Sequence, residues 1–433
     1  MASLDKAKKL SHIIIDFGSN SIKCGFNYEP FPRFIIPNVV GKIKNKSFSP
    51  IKDYNDYYCG YDALYNSSSI DLSYPRIDNN GKISTDEEGK KDLESLFSYI
   101  FNEKLKTHEY TYDIFIVDSI YTSTKEREAI AHILFEKFNI YHLHFEPQSI
   151  MTLYSTSKTS GLVVNSGEIS TEIVPIIEGY IISQGICNFP IAGHVLTKRF
   201  ENTYKDIFDI NNVSNHYWMA QKIKEEYSQI LPSSKEFEEL ISKKNNDKKE
   251  YILPDGNIVE LGNEIYEIPE SIFNPNIIGM ETMNLPQVII DSISKCDIST
   301  RKELYNNIIL GGGSTFIKGY DSRLKSEIEG IKKRNCGIIN LEERNYSSWI
   351  GASGISSMSN FNSKWISRNE YSEHGEKLFE RDYLFNYAGL NDGQRKKITN
   401  NEIETDEIPF SNVHSRCAMM PGGTSCRLLS TVM

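Results

Sequence analysis

The chain has 433 residues, 39% of them hydrophobic and 24% charged, which is a globular balance with room for two to four domains of about 100 to 200 residues each. The formal net charge of −10 argues against a broad basic surface for nucleic acid, and no apolar stretch reaches the ~18 residues of a membrane span. Seven scattered cysteines, none in a C-x-x-C pair, favour a reducing compartment over a disulfide framework or a structural zinc site.

The first predicted element is a β-hairpin over residues 12–26, HIIIDFGSNSIKCGF. An apolar run ends in one acid, Asp16, and a Gly-Ser turn leads into an alternating run. Polar residues 73–92 predict loops, and the apolar spacing of 124–138 predicts an amphipathic helix. The hairpin pattern then recurs over residues 162–177, LVVNSGEISTEIVPII. Two copies of one hairpin predict two related lobes, and both turns would let the backbone approach a phosphate.

The second half of the chain contains a further phosphate-binding pattern. Helices are predicted over 218–231 and 287–295, with a polar loop over 242–250. Residues 306–330 read as a strand, the turn Gly311–Gly313, and a helix with Ser314 or Thr315 as its N-cap. A strand, a glycine turn and a helix N-terminus suit contact with a nucleotide.

These patterns, taken together, resemble the actin and actin-related proteins. The segments that carry the resemblance run collinearly from about residue 12 to 375: IIIDFGSNSIKCGF, PRFIIPNVVGK, EPQSIMTLYSTSKTSGLVVNSGE, YILPDGNIVELG, FNPNIIGME, IILGGGSTFIKG and YSSWIGASGISSMSNFNSKWISRNEYSEHG. The last of these, with its W-I-G and W-I-S-x-x-E-Y patterns, is highly specific to actins.

The resemblance implies an α/β fold of two lobes, each a ribonuclease H-like mixed sheet with helices, around a nucleotide cleft. The first lobe would comprise residues 1–155 and 347–378, with a small outer subdomain at about 38–74. The second would comprise 156–346, with an outer subdomain at about 192–280. Low apolar content over much of 379–433 predicts a flexible C-terminal tail.

The resemblance also implies the site residues. Asp16 would hold Mg²⁺ through water, Gly18 and Ser19 would form a phosphate loop, Lys23 would reach the phosphates, and Gln148 would position the attacking water. The other implied contacts to ATP or ADP are Asn20, Ser166, Gly167, Glu168, Gly193, Lys224, Glu225, Gly312, Gly313, Ser314 and Phe316.

The second hairpin departs from the actin pattern Asp-Ser-Gly-Asp-Gly. Asn165 removes a carboxylate, Glu168 lengthens the acidic arm, and Ile169 places a β-branched side chain near the phosphates. Glu172 stands where actins have a histidine, and a carboxylate there would repel a γ-phosphate. In the first hairpin Asn20 replaces a glycine. We therefore expect slow or absent hydrolysis.

In the base site of the actin pattern, Asn345 replaces a cation and Ile317 replaces a tyrosine. Binding of ATP or ADP remains the expectation, because Asp16, Lys23, Gln148 and the glycine turn are kept.

The expected function is that of a divergent actin-related protein. It would be an ATP-binding scaffold subunit of an actin-nucleating, dynein-activator or chromatin-remodelling assembly, with actin, other actin-related proteins or complex subunits as partners. It would be cytoplasmic, with the nucleus as the other compartment. The alternatives are an ATP-hydrolysing filament former, for which FNPNIIGME keeps the apolar Ile277 and Ile278, and a small-molecule kinase, for which no separate catalytic carboxylate is evident. His142-x-His144-x-Glu146 reads as a plain strand rather than as metal ligands.

Overall fold

In the computed structural model, the structure describes residues 12–43, 57–78, 81–107, 112–211, 213–243, 248–253, 256–358, 361, 365–375 and 377–380. The strands in chain order are β1 (His12–Phe17), β2 (Ser21–Phe26), β3 (Phe34–Pro37), β4 (Val40–Ile43), β5 (Tyr57–Cys59), β6 (Ile70–Ser73), β7 (Asp113–Asp118), β8 (His142–Pro147), β9 (Gly161–Ser166), β10 (Thr171–Ile177), β11 (Tyr180–Ile181), β12 (Cys187–Phe189), β13 (Lys249–Ile252), β14 (Ile258–Leu261), β15 (Ile308–Gly311), β16 (Ile338–Ile339) and β17 (Ile366–Ser367).

The helices in chain order are α1 (Tyr61–Tyr65), α2 (Glu87–Ser98), α3 (Thr124–Glu136), α4 (Gln148–Ser155), α5 (Gly193–Ile210), α6 (His216–Tyr227), α7 (Ser234–Ser242), α8 (Glu264–Glu270), α9 (Leu285–Ser294), α10 (Ile298–Asn306), α11 (Tyr320–Lys332), α12 (Ser347–Ser356), α13 (Arg368–His374) and α14 (Lys377–Glu380). Helix α2 continues as a π-helical turn, Tyr99–Lys104, and short 3₁₀ turns cover Ser183–Gly185, Pro275–Ile278 and Gly313–Phe316.

Two mixed sheets form the two lobes, as the repeated hairpin predicts. The first sheet has the order β17-β8-β7-β1-β2-β3, and the second has the order β11-β10-β9-β15-β16, with β12 also paired to β10. In each sheet the hairpin strand (β1 or β9) pairs antiparallel with the strand after it and parallel with a later strand (β7 or β15). Their β-branched runs are buried on both faces, which is typical of central strands. The α/β two-lobed fold is thereby confirmed.

Each lobe has its own core and carries an outer subdomain. In the first, strands β5-β4-β6 form a small sheet closed by α1, whose apolar centre is Val39, Ala63, Leu64 and Ile70. In the second, the two-stranded sheet β13-β14 lies beyond α5 and α6.

Helices α4 and α12 pack together at the junction of the lobes. Gly351 of α12 faces the backbone of Met151 in α4 so closely that a Cβ there would collide with its carbonyl. Trp349 is fully buried and donates from Nε1 to the Ile14 carbonyl at 3.2 Å. This close crossing places Gln148, at the start of α4, and Ser348, at the start of α12, beside the end of β1.

Several local predictions need correction. Residues 87–92 belong to α2 rather than to a loop, because Asp86 caps the helix and Leu93, Leu96 and Phe97 bury its apolar side. Residues 249–250 belong to β13, where they pair with β14. Neither Ser314 nor Thr315 caps the helix that follows, because Gly313–Phe316 forms a separate 3₁₀ turn and α11 begins only after Gly319, at φ +87°.

The predicted tail boundary at 379 falls inside α14. Phe379 is buried in the first core, where its ring packs against Phe145 and Tyr371. The aromatic ring covers apolar surface of α3 and β8. Residues 381–433 lie outside the described part of the chain.

Candidate functional site

A cavity of about 710 Å³ lies between the lobes, with the turns of both hairpins in its wall. Its other walls come from the glycine turn 311–313, the first residues of α4 and α12, and one face of α6. The two hairpin turns match position by position, because Asp16 pairs with Lys23 and Asn165 pairs with Glu172 in the two ladders. Each turn then offers one glycine, Gly18 or Gly167, to the cavity.

Asp16 is the most densely hydrogen-bonded carboxylate in this cavity wall. It is 1% exposed and accepts from Gln148 Nε2 at 2.6 Å and from Ser348 Oγ at 2.9 Å. Lys23 Nζ lies 3.8 Å from its second oxygen. Because a buried carboxylate is stable as an ion only with such partners, Asp16 is a fixed negative charge at the end of β1.

Gln148 joins the two hairpins through both ends of its amide. Asp16 can only accept, so the Gln148 amide nitrogen must face it, and the carbonyl oxygen then faces Asn165. Asn165 Nδ2 donates to that oxygen at 3.1 Å. A carboxylate at position 165 could not make this bond, because two acceptors would then face each other. The Asn165 departure therefore anchors Gln148 as well as removing a charge.

Glu168 lines the cavity, but its carboxylate is bonded to groups of the second lobe. Its carboxylate accepts from Tyr217 Oη at 2.5 Å and lies 3.5 Å from Lys224 Nζ, which also donates to the Gly193 carbonyl at 3.1 Å. A Cβ at Gly193 would collide with the Glu168 carboxylate, so a larger residue there would force the Glu168 side chain to shift. Burial, together with the negative charge of Glu168, raises the pKa of the Tyr217 hydroxyl well above its usual range.

Ile169 packs across the cleft on the first lobe. A Cβ built on Gly81, at φ +87°, would lie 3.1 Å from Ile169 Cγ2, so the two residues touch. The expected β-branched side chain thus lies in the cavity wall, against the first lobe.

Glu172 is buried beside a serine and an arginine. It accepts a short hydrogen bond from Ser119 Oγ. Burial raises the pKa of its carboxyl to about 7, although the Arg76 guanidinium acts in the opposite direction. Burial therefore favours the neutral acid form of Glu172, which would repel a phosphate less than the expected full negative charge.

The opposite end of the cavity combines the glycine turn with an aromatic ring. Ser314 Oγ donates to the Gly167 carbonyl at 2.6 Å, which ties this turn to the second hairpin. The Arg344 guanidinium lies 3.8 Å from the ring centre of Phe316, which is 45% exposed. This stacked pair is a flat surface of the kind on which a purine ring can lie.

Uncharged contacts join residues 65–74 of the first lobe to residues 214–218 of the second lobe at the edge of the cleft. Trp218 packs on the small apolar centre of the first lobe, with its ring 6.1 Å from Tyr65. Asn215 Nδ2 donates to Tyr74 Oη at 2.8 Å, and the hydroxyls of Ser67 and Ser214 are 2.9 Å apart. We call Trp218, Tyr65, Tyr74, Asn215 and the Ser67–Ser214 pair the mouth contacts.

Comparison with known proteins gives one consistent family. The sequence model of the actin family, described as Actin, matches residues 7–383. An actin-like protein of Neurospora crassa is 30% identical over 368 residues, covering 84% of this chain and 95% of the relative. The chain belongs to the actin family.

Within this actin-family cleft, most of the residues expected to contact nucleotide line the cavity. They are Asp16, Gly18, Ser19, Asn20, Lys23, Gln148, Gly167, Glu168, Lys224, Glu225, Gly312, Gly313, Ser314 and Phe316. Ser166 and Gly193 do not. The Ser166 hydroxyl is buried 2.8 Å from Thr171 Oγ1, and Gly193 lies behind Glu168.

Sequence reasoning missed four polar residues of the site. Ser348 lies in the segment YSSWIGASG that carries the actin resemblance, and Arg344 lies two residues before it, so residue-by-residue reading of this part of the chain could have found them. Arg76 and Tyr217 had no such signal. Arg76 lines the cavity and donates to the carbonyls of Phe17 and Gly81, both at 2.9 to 3.0 Å.

The residues present suit a magnesium ion that arrives on a nucleotide. Among the described residues no group of three or more histidine, cysteine or acidic side chains is arranged to hold a metal. Asp16 supplies one carboxylate, and Asn165 supplies none, so phosphate oxygens and water would provide most ligands. When bound, the ion would neutralise phosphate charge; Asp16 and Lys23 would hold its shell and the phosphates.

His142, His144 and Glu146 lie on β8, as expected of a strand. His142 Nδ1 is 2.7 Å from Asp113, and His144 Nε2 is 3.0 Å from Glu146. Across the described residues, no helix is both long and apolar enough to span a bilayer.

Proposed function

We propose that this actin-family chain is an ATP- or ADP-binding clamp that acts as a structural subunit of a protein assembly and hydrolyses ATP slowly or not at all. The observation that carries the proposal is the Asp16–Gln148–Asn165 chain of hydrogen bonds. This chain of bonds leaves Asp16 in place to bind nucleotide. It also immobilises Gln148, the residue on which hydrolysis would depend.

Binding is supported by the polar groups that converge on the cavity. Asp16 and Lys23 provide one fixed charge of each sign at the first turn, and Gly18, Gly167 and Gly312 let the backbone approach a ligand. Phe316 with Arg344 offers a stacking surface at the other end. Mg²⁺ would accompany the phosphates.

Slow turnover is supported by the state of Gln148. Both ends of its amide already have partners, Asp16 at 2.6 Å and Asn165 at 3.1 Å. Orienting a water molecule would compete with one of these bonds. Loss of one preorganised polar group at a reaction centre raises a barrier by about 3 kcal/mol, roughly a hundredfold in rate.

The clamp mechanism is supported by the mouth contacts, which join the lobes without an ion pair among the contacts named. Each such neutral contact contributes about 0.5–1.5 kcal/mol, so the lobes can separate at a small free-energy cost. Because the contacts are uncharged, this cost should not depend on salt concentration. A ligand that contacts both hairpins would favour the closed form. A partner protein would then bind preferentially to one opening angle of the lobes.

The deciding experiment is to purify the protein without added nucleotide, denature it and identify the small molecules released. We expect ATP at about one per chain. ADP at that ratio, after direct uptake of ADP is excluded, would instead support hydrolysis. A protein that releases nothing and binds no added nucleotide would contradict the proposal.

The clamp itself is tested by exchange of a fluorescent nucleotide from wild type and Trp218→Ala. Removing the indole opens the mouth, so exchange should accelerate about tenfold. Tyr141→Ala, at an exposed ring away from the cleft lining, is the matched control and should exchange like wild type. Equal rates in all three proteins would contradict the clamp.

An ATP-hydrolysing filament former is the alternative, and one observation favours it. In the 3₁₀ turn Pro275–Ile278, Ile277 is 39% exposed, as an apolar contact between subunits would require. Pelleting at high concentration together with phosphate release, both lost in Ile277→Asp, would decide for the filament.

The assembly would be cytoskeletal, of the actin-nucleating or dynein-activator type, or chromatin-remodelling, and its site cytoplasmic or nuclear. Proteins rather than nucleic acid are the proposed partners, consistent with the formal charge of −10. Cell fractionation followed by affinity purification of the tagged chain would distinguish the compartments. Co-purification of actin or actin-related subunits is the expected result.

A further inference from the structure

Glu172 is a buried acid whose second oxygen lacks a hydrogen-bond partner. The side chain is 6% exposed and lies in the cavity wall, and Oε1 accepts from Ser119. Oε2 is buried, with no partner among the described residues. An unpaired buried oxygen is costly, so a group that bonds to it would stabilise the protein.

The surroundings of Glu172 offset only part of the cost of burying its negative charge. The Arg76 guanidinium, which donates to the carbonyls of Phe17 and Gly81, and a hydrogen bond from the Ile120 amide both favour the charged form, but burial outweighs them. Asp118, the nearest acid, is ion-paired with Arg127 at 2.8 Å. Tyr121 also faces Glu172 from the loop after β7. The neighbouring strands contribute neutral amides, Asn165 from β9 and Asn188 from β12.

A neutral Glu172 requires a hydrogen-bond acceptor for its proton, whereas a charged Glu172 requires only donors. With Oε1 occupied by the Ser119 hydroxyl, the proton of the acid form sits on Oε2 and has to be donated. No described residue is hydrogen-bonded to Oε2. An acceptor would therefore come from whatever occupies the cavity, and an anionic oxygen would be the strongest.

We propose that Glu172 binds nucleotide as a carboxylic acid and donates a hydrogen bond from Oε2 to a phosphate oxygen. This inference rests on the proposed nucleotide-binding function and adds a recognition residue to it. The acid form takes the place of the cationic or neutral donor that the actin pattern has at this position. The site would then prefer a phosphorylated ligand below the pH at which Glu172 ionises.

The pH dependence follows from the carboxyl group. Burial raises the pKa of Glu172 to about 7, so the donor is present below neutral pH and is lost above it. If only the acid form makes the bond, affinity falls by up to about tenfold for each pH unit above the pKa.

The test is equilibrium binding of Mg·ATP to the full chain from about pH 6.5 to about pH 8.5, for wild type and Glu172→Gln. Gln keeps a donor at the same place but does not titrate. Wild type should lose at least about tenfold in affinity over this range, and Glu172→Gln should stay tight. Because the ligand titrates identically in both, its own ionisation cancels. Glu281→Gln, an exposed charge removal, should follow wild type.

The outcomes separate this inference from the function on which it rests. Tight wild-type binding with the same pH profile as Glu172→Gln would overturn the role of Glu172 and leave nucleotide binding intact. No binding at any pH would overturn both.

A second measurement needs no ligand. Infrared difference spectra of wild type minus Glu172→Gln should show a carboxylic-acid carbonyl band at about pH 6 that disappears by about pH 8.5. Addition of ATP should shift that band. Only a carboxylate signal at the lower pH would overturn the inference, and circular dichroism would confirm that the variant is folded.

Discussion

The two hairpins that face each other across the cleft share one backbone and differ in charge. In the first, Asp16 pairs with Lys23 across the strands, so an acid faces a base. In the second, Asn165 and Glu172 occupy the equivalent positions, so a neutral amide faces an acid whose pKa is raised by burial. Gln148 bonds to Asp16 on one side and Asn165 on the other.

The difference shows which features of a duplicated motif can diverge. Main-chain hydrogen bonds and buried β-branched residues hold the register, because a slip of one residue would turn every side chain over. The charges at the turn do not affect that register. The first hairpin has therefore kept a charged pair, while the second has become a neutral support for Gln148.

The largest expected effect comes from removing the charge of the first hairpin. Asp16→Asn leaves Lys23 without its partner and removes the carboxylate beside the phosphates, so the Kd for Mg·ATP should rise about 100-fold, or about 3 kcal/mol. Equilibrium titration measures this. Ser348→Ala, which deletes only one hydrogen bond to Asp16, should cost far less, and equal losses would contradict the special role of the charge.

The second prediction concerns the acid of the second hairpin and stability. Because the pKa of Glu172 is raised to about 7 in the folded chain, the folded state binds more protons than the unfolded state between about pH 4.5 and 7. Stability therefore falls as pH rises through that window. Glu172→Gln should be more stable than wild type at pH 8, by up to about 3 kcal/mol, and the difference should shrink near pH 5.

Thermal unfolding of both proteins at the two pH values measures this difference. A stability gap that does not change with pH would show that Glu172 carries the same charge in the folded and unfolded chains.

The third prediction makes the second hairpin resemble the actin pattern. Asn165→Asp with Glu172→His removes the donor that holds the Gln148 carbonyl, so ATP hydrolysis should rise about tenfold, or ~1.4 kcal/mol in the barrier. Phosphate release under single-turnover conditions measures it. Asn165→Ala also frees Gln148 but adds no carboxylate, and so separates the two causes. Wild type hydrolysing as fast as the double variant would contradict the proposed locking of Gln148.

The smallest expected effect concerns the apolar contact between the lobes. Ile169→Ala removes the side chain that packs on Gly81, and because Ile169 is only half-buried the cost should be about 1 kcal/mol of unfolding free energy. Ile298→Ala, at a side chain that is 78% exposed, should cost close to nothing in the same thermal unfolding assay. Equal losses would mean that Ile169 does not join the lobes.

Local sequence patterns were sufficient to predict the hairpins and the two-lobed fold. Strand periodicity and the repeated turn predicted both hairpins, and the collinear motifs predicted the two lobes and most cavity residues, including Asp16, Gln148 and Gly312. These features depend on residues near each other in sequence, where spacing sets which face each side chain occupies. Helix α2 was missed because its apolar side is short and its ends are polar.

Long-range contacts decided the chemistry. Asn165 read alone is a lost carboxylate, but in the fold it donates to Gln148, 17 residues away in the chain. Glu172 read alone is a repelling charge, but in the fold burial raises the pKa of its carboxyl to about 7, although the hydrogen bond from Ser119 acts in the opposite direction. Ser166 was predicted in the site, yet its hydroxyl turns inward to Thr171. The sequence by itself determined which strands and turns form, because these follow from local periodicity; only the tertiary structure decided ionisation and partners, because they depend on burial and on groups brought together from distant parts of the chain.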